Sequence, residues 1–596
     1  MLQTRKYNWM DIFIIPFQLS PVYLIIYFLL ELIQALLSTI GLVFATSYFV
    51  DEAKIVLSRG ATVSRLYLAL GLLLVVFVFS GLIDQLLGLL LSRLKIEMER
   101  QLLPEILNRT ASLKYKYIEH SETLDLIERI SKNIILNLQE GVRGLTMIIR
   151  SIVALASVLL LIVTYVWWSA VLITVVSIPL FIFSIKAGGK NYSAWMEAAQ
   201  YERRYSYYSD DILTSRMATP ERKLFGYAEK IVKLHRKFFE LARKIQERVS
   251  VEIRLTLITM SIVITAIALL ISFSLINPVI DGTISPGLFM GINTAVFTMA
   301  TTFGTTMQEA TKQLSYANSC MNDLTEFMSL KIEGGAQDLP EKQLPVFKSL
   351  VFKNVSFKYP NSNYYSLENL SFTIDADTHY AFVGKNGSGK TTIIKLMTGL
   401  YDEYDGEILI NGIELRQIPQ STLKAMFSVS YQDFAKYQVS LFDNIALGNT
   451  AKGIQNDELE NVIEKTQLSE MVQQLKEGAH TLLGKISKEG TDLSGGQWQK
   501  IAISRTLISP APIKILDEPT ASLDPMAESI IYKEFEEVMK GKTTIFISHR
   551  LGSTKLAEKI LVMDEGKLIE SGSHQTLLDK EGVYAAMFEA QRRWYE

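Results

Sequence analysis

The sequence predicts two domains of different class: an α-helical membrane domain of six spans with long charged helical extensions, then an α/β domain with a parallel sheet built around a phosphate-cradling loop. Three observations carry this. Six apolar stretches long enough to cross a bilayer precede residue 310, and none follows. The stretch Gly384–Thr392 reads G-K-N-G-S-G-K-T-T, which fits G-x-x-x-x-G-K-[ST]. Beyond Pro345, short β-type runs alternate with helical patterns. The 596 residues are 48% hydrophobic, and the mean hydropathy of +0.19 is high for a soluble enzyme of this size.

Composition also excludes. A net charge of −2 gives no global basic field, so nucleic acid is not an expected partner. Cys320 is the single cysteine, which rules out a disulfide within the chain and a cysteine-based metal site. His120, His235, His379, His480, His549 and His574 lack the spacing of a zinc site. The segment Met1–Pro21 is not a signal peptide, because Asp11 interrupts its apolar run and no small-residue cleavage site follows. It reads as an amphipathic helix at the inner membrane surface.

The six spans are expected at Pro21–Phe49, Val63–Leu91, Leu145–Val163, Trp167–Ile185, Leu255–Ile276 and Pro286–Met307. Two connections, Ser92–Gly144 and Lys186–Arg254, are long, rich in Lys and Arg and helical in period. Two short ones, Thr164–Val166 and Asn277–Ser285, contain neither Lys nor Arg. The positive-inside rule then puts both termini and both long connections in the cytoplasm. Within the first span, Glu31 with Gln34 one turn away needs a partner or a water-filled path. It reads equally as a contact for cationic cargo and as half of an interhelical pair. Asp84 lies nearer the inner interface, and Trp167 and Trp168 read as interfacial anchors.

Between Ser329 and Pro345, Gly334-Gly335 and two prolines break any helix. The expected division is therefore a membrane domain over 1–328, a linker over 329–345 and an α/β domain over 346–596. In that last domain Tyr380–Val383 reads as a buried strand and Thr392–Met397 as a helix start, so the glycine-rich loop lies where its amides and the helix dipole converge on an anion. Lys390 would reach β- and γ-phosphates and the Thr391 hydroxyl would ligate Mg²⁺.

Further motifs follow in a set order. Tyr431-Gln432-Asp433-Phe434, Leu493-Ser494-Gly495-Gly496-Gln497, Ile513–Thr520, Ala521-Ser522-Leu523-Asp524 and Ile547-Ser548-His549-Arg550 resemble the Q-loop, signature, Walker B strand, D-loop and switch histidine of ATP-binding cassette (ABC) proteins. With the spans before them, the chain resembles a half-size ABC exporter. That implies a type I (type IV) exporter fold joined to an α/β P-loop ATPase domain, with ATP and Mg²⁺ as ligands.

The resemblance implies a role for each residue. Gly384, Asn386, Gly387, Ser388, Gly389, Lys390, Thr391 and Thr392 cradle the phosphates, and Tyr359 stacks on adenine. Thr391, Gln432 and Asp517 hold Mg²⁺. Glu518 is the catalytic carboxylate, with Gln432 and His549 aligning the attacking water. Ser494, Gly495, Gly496 and Gln497, with Asp524, face the nucleotide of a second cassette. One chain carries one cassette, so a second copy is implied: a homodimer with two competent sites, or a heterodimer. The transverse helices that rest on the cassettes in this family would match His120–Ile130 and Tyr208–Thr219, with Glu221–Gly226 leaving the second and Glu489-Gly490 sensing them. Lys514 departs from the apolar Walker B pattern and must reach an edge or find an acid.

Two cassette stretches, 431–437 and 493–502, are similar to those of bacterial lantibiotic-type peptide exporters. The expected activity is ATP-driven export of a peptide, cationic if Glu31 meets it, through the lipid of a bacterial cytoplasmic membrane. No peptidase domain precedes the first span, so another protein would remove any leader. A multidrug or lipid exporter of the same fold, and a membrane-tethered regulatory ATPase that moves nothing, are the alternatives.

Overall fold

The computed structural model describes residues 2–59, 63–165, 167–519, 541–547 and 553–593. The chain divides into two compact units, Met1–Thr110 with Glu122–Leu330, and Ala111–Ser121 with Lys331–Glu596. The expected division ran straight at residue 328; the short segment Ala111–Ser121 instead groups with the second unit.

The first unit is helical. Its elements are α1 (Asp11–Leu19), α2 (Pro21–Leu36), α3 (Leu42–Arg59), α4 (Val63–Ala111), α6 (Ser121–Val163), α7 (Trp167–Ser206), α8 (Thr219–Phe225), α9 (Ala228–Ser274), α10 (Ile276–Ile280) and α11 (Pro286–Ser329), with α5 (Tyr115–Ile118) falling in the other unit. Apolar runs flow directly into charged helical runs, and α4 continues for 49 residues, carrying Pro104 within its charged half. At ~1.5 Å per residue that is roughly 70 Å, more than twice a bilayer's hydrocarbon core. Four helical stretches among the described residues are long and apolar enough to cross a membrane: Pro21–Ser58, Val63–Ala111, Ser121–Val163 and Ala228–Ile280. The other two expected spans lie on α7 and α11. A π-helical turn, Leu37–Gly41, joins α2 to α3.

Local chemistry explains how these helices pack. Gly287 and Gly291 stand four apart on α11, the spacing that lets helix backbones approach in a membrane. A Cβ at Gly291 would come 2.6 Å from the Val43 carbonyl, and one at Gly287 would collide with the Ser47 carbonyl. Asp51 completes this contact, accepting from the Gly287 amide (2.8 Å) and the Ser285 hydroxyl (2.5 Å) at the start of α11. α1 buries Ile12, Ile15 and Leu19 and exposes Phe13 and Phe17, with Trp9 exposed just before it, so it has one apolar face for protein and another for lipid. Glu31 has found partners. Its Oε1 accepts from the Tyr27 hydroxyl (3.1 Å), and Arg150 Nη1 lies 3.7 Å from both Glu31 Oε2 and Asp84 Oδ1. The interhelical pair expected of this carboxylate is present.

The second unit is α/β. Strands β1 (Ser349–Phe357), β2 (Leu367–Asp375), β4 (Asp405–Ile410) and β5 (Ile413–Glu414) form an antiparallel sheet in the order β2-β1-β4-β5. The second sheet among the described residues runs β10-β9-β3-β8-β7-β6, with β3 (His379–Gly384), β6 (Phe427–Ser430), β7 (Ile513–Asp517), β8 (Thr543–Ile547), β9 (Lys559–Asp564) and β10 (Lys567–Gly572). Its four pairings from β6 to β9 are parallel, and only β10 turns back. β7 and β8 are buried along their whole length, as strands covered on both faces must be. Helices α12 (Lys390–Met397), α13 (Gln420–Met426), α14 (Leu441–Ala446), α15 (Asn456–Lys465), α16 (Ser469–Gln474) and α17 (Gly495–Ile508) follow in chain order. α14–α17 share a small core of their own around Leu441, Leu459, Met471 and Trp498.

The segment Ala111–Ser121 joins this unit by backbone pairing: Leu113 bridges Ile332, and the Glu333 amide donates to the Ser112 carbonyl at 2.7 Å. The helix within it is α5, Tyr115–Ile118, upstream of the expected His120–Ile130. Residues 121–130 are instead the opening turns of α6, because Ser121 begins a helical run that nothing interrupts.

Candidate nucleotide site

The loop between β3 and α12 has the shape the sequence pattern requires. Gly389 sits at φ +99° as the N-cap of α12. A Cβ there would come 2.6 Å from Leu367 Cδ2 and 2.9 Å from the Ser366 carbonyl, so only glycine fits. At Gly384 a Cβ would run into the Met563 carbonyl of the neighbouring strand β9. The amides of Lys390, Thr391 and Thr392 open α12 and have no intrahelical acceptors, which leaves them for an external anion.

Beside this loop is a cavity of about 470 Å³ lined by Tyr359, Ser366, Asn386, Gly387, Gly389, Lys390, Thr391, Thr392, Gln432, Glu518 and Ile547. Residues more than 180 positions apart in the chain thus meet at the C-terminal ends of β3, β7 and β8, where parallel sheets carry their ligands. Ser366 was not singled out in the sequence, and Ile547 entered there only as the start of the switch-histidine motif. Ser366 gave no signal, being an unremarkable serine before a strand. Gly384 and Ser388 form the floor of the loop rather than the cavity wall, and Ser388 is buried. His549 and Asp524 lie outside the described residues.

The lysine is held inside the loop. Lys390 Nζ donates to the carbonyls of Gly384 and Lys385, each at 2.8 Å, and burial pulls its pKa down despite the pull of Glu518 and Asp517. At the end of β7 the Asp517 carboxylate is almost fully enclosed. Its Oδ2 accepts from Thr391 Oγ1 at 3.2 Å, while Oδ1 is buried without a hydrogen-bond partner. Burial pushes the Asp517 carboxyl up to about 6. Glu518, next along, adopts a left-handed φ of +48°, a conformation that costs a non-glycine residue and is characteristic of functional turns. Its amide donates to the Ile547 carbonyl at 2.9 Å, which ties the turn to the end of β8.

The signature segment stands apart from this cavity. Ser494 caps α17, its Oγ accepting from the Gln497 amide (3.2 Å) while Gln497 Oε1 accepts from the Ser494 amide (2.8 Å). This reciprocal capping box fixes Ser494 at an exposed helix start. Lys514 corrects an expectation: it reaches neither an edge nor an acid. It is 2% exposed, and its Nζ donates to the carbonyls of Thr506 (2.6 Å) and Ser509 at the C-terminus of α17. Orphan carbonyls and the negative end of the helix dipole take the place of a counter-ion, and burial drives its pKa well below that of a free lysine. At the other end of the same helix, Gln499 Nε2 donates to the Glu518 carbonyl at 3.3 Å.

Residues 367–521 match the profile of the ABC transporter family. The subtilin transport ATP-binding protein SpaT of Bacillus subtilis is 30% identical over 516 residues, 86% of this chain and 83% of that protein. The chain belongs to the ABC transporter family. The nisin transport ATP-binding protein NisT of Lactococcus lactis subsp. lactis is 28% identical over 82% of this chain and 81% of its own length. An ATP-dependent lipid A-core flippase of Hahella chejuensis is 34% identical over 54% of each chain. In fold, the chain resembles a bacterial Atm1-family ABC exporter with ATP bound, at a TM-score of 0.73 and 23% identity, over 96% of this chain and 99% of that one. This ABC exporter is an integral membrane protein that binds ATP and couples its hydrolysis to export.

Proposed function

We propose that two copies of the chain form a homodimeric exporter of a ribosomally made peptide in a bacterial cytoplasmic membrane, with both termini and the ATPase units on the inner side. The peptide reading rests on one observation: similarity to the two lantibiotic transport proteins runs through more than four-fifths of the chain, whereas that to the lipid A-core flippases covers 54% or less. A cationic preference is not part of this reading: Glu31 is paired with Arg150, which it shares with Asp84.

In this reading Tyr359 stacks on adenine, and the loop Gly384–Thr392 wraps the phosphates with its amides and Lys390. Thr391, Gln432 and Asp517 fit Mg²⁺: oxygen donors converge, and the partnerless Asp517 Oδ1 is a buried acceptor suited to a hard cation. Bound there, Mg²⁺ would neutralise charge on the β- and γ-phosphates. Glu518 takes a proton from the attacking water and Gln432 orients it, and the switch role is assigned to His549 by its motif alone. Ser494–Gln497 and Asp524 of one copy close over the nucleotide of the other. The N-capping arrangement supports this, since the Ser494 oxygen already accepts within its helix and its proton is left to donate outward. The division into a membrane domain, a linker and a cassette near residues 329–345 belongs to the same reading.

The test is transport by reconstituted vesicles. With ATP outside, inside-out vesicles should accumulate a lantibiotic-type peptide. Glu518→Gln should lower turnover by about 10²–10⁴-fold, the usual share of a general base, while ATP still binds. Peptide-independent turnover with a lipid flipped instead would select the lipid reading.

A further inference from the structure

The ring given to adenine above is not isolated. Tyr359 meets Phe357 and Tyr401 edge-on, with centroids 5.1 and 5.6 Å away, and its hydroxyl lies 3.0 Å from Thr392 Oγ1. Lys395, on α12, sits with its ammonium 5.4 Å from the centroid of Tyr359 and 5.4 Å from that of Tyr115. That ammonium donates to Glu119 Oε1 at 2.5 Å. Glu119 also accepts from the Tyr115 hydroxyl (2.9 Å) and from the Tyr401 hydroxyl. Tyr115 and Tyr401 meet edge-on at 5.6 Å. Glu119 therefore collects three donors, and one of them, Lys395, rests against the ring that lines the cavity. Glu119 and Tyr115 do not come from the cassette sequence. They belong to the turn Ala111–Ser121 that links α4 to α6, the helices that continue two expected membrane spans.

We propose that Glu119 is a positioning residue for ATP: through Lys395 it fixes the Tyr359 ring, so that ATP affinity depends on how the first cytoplasmic turn is seated. The inference rests on the reading of Tyr359 as the adenine platform. A lysine side chain is long and strongly hydrated, and without a fixed acceptor it returns to water rather than stay over a ring. Glu119 supplies that acceptor. Its carboxylate is tied in turn to two tyrosines of the same aromatic cluster, so the lysine, the platform and the turn move as one group. Coupling of this kind is reciprocal: if seating the turn strengthens ATP binding, bound ATP seats the turn by the same factor.

The experiment uses the full chain in lipid nanodiscs. KM for ATP and the affinity for inorganic tripolyphosphate, which has no base, are measured for Glu119→Gln, Lys395→Gln, the double variant and Tyr359→Leu. Glu119→Gln should raise KM for ATP about two- to fivefold, the range expected from releasing one cation–π contact, with a smaller change in kcat and none in tripolyphosphate affinity. The double variant should rise no further than the larger single. A fall in kcat with KM unmoved would overturn the inference, as would an equal loss of tripolyphosphate affinity, which would mean a loosened cradle. If Tyr359→Leu raises KM and Glu119→Gln does not, the inference alone fails. If neither raises it, the platform reading fails with it.

Discussion

The two long charged connections of the chain turn back in segments made of opposite materials. The first, Ala111–Ser121, is held by charge and hydrogen bonds within its unit: Lys114 to Asp402, Lys116 to Glu403, Glu119 to Lys395, and His120 Nε2 to Asn361 Nδ2 at 2.5 Å. The second runs through a π-helical turn, Tyr207–Leu213, and α8. It is held to its own helices, with Arg222 donating to the carbonyls of Ile212 (3.0 Å) and Leu213 and with Tyr208 stacked on Phe238. It also exposes Met217 (90%), Leu224 (78%) and Phe225 (68%) in a stretch otherwise rich in charge. Large apolar side chains grouped on a polar loop mark a surface built for a partner. In the homodimer proposed above, the first turn would read its own cassette and the second would be left to dock on that of the other copy.

That contrast can be broken at either turn. The largest effect is expected from Leu224→Ser with Phe225→Ser. Burying two such side chains is worth about 1.5–3 kcal/mol each, so vesicle transport should fall at least tenfold, while binding of a fluorescent ATP analogue to the purified chain stays put. Unchanged transport would mean that the second turn docks on nothing. Next come the ion pairs of the first turn. Lys114→Asp and Asp402→Lys should each lower transport by about two- to fivefold, the range of half-exposed pairs, and the double reversal should recover most of the loss. Smallest is the response to pH. Burial alone would push the Glu119 carboxyl up, but the hydrogen bonds from Lys395, Tyr401 and Tyr115 outweigh it and hold it below the ordinary carboxylate range. A carboxyl with a depressed folded pKa adds stability above its unfolded pKa and loses it as pH falls through the folded value. Hydrogen exchange of residues 111–121 should therefore quicken only in acid below the usual carboxylate range, with that of residues 207–225 unchanged over the same interval.

The cradle was legible in the sequence because its chemistry is local: Gly384, Gly389, Lys390 and Thr391 carry their roles within a few residues. The exporter fold was legible for a similar reason, since hydropathy and motif order are properties of runs. What escaped was long-range. Nothing near Glu31 foretells Arg150 or Asp84, which arrive from two other helices. Lys514 looked as though it needed an acid because side chains are visible in a sequence and orphan carbonyls are not; the carbonyls of Thr506 and Ser509 answer it. The helix of the first turn was placed too late because His120–Ile130 has helical period, yet that period belongs to α6. The Gly287/Gly291 pair was overlooked, being two glycines in a span until Val43 and Ser47 are seen against them.

The π-helical turn at Leu37–Gly41 has a consequence for how the first membrane helix keeps its bearings. Glu31 and Val43 both face inward, yet twelve residues separate them, about 120° out of step on a regular α-helix at roughly 100° per residue. One residue absorbed by the wider turn brings the difference down to about 20°. The turn is a phase slip: it lets the half that carries Glu31 answer Arg150 while the half that carries Asp51 answers Gly287. A single helical wheel drawn through residues 21–58 would point one of those halves at lipid.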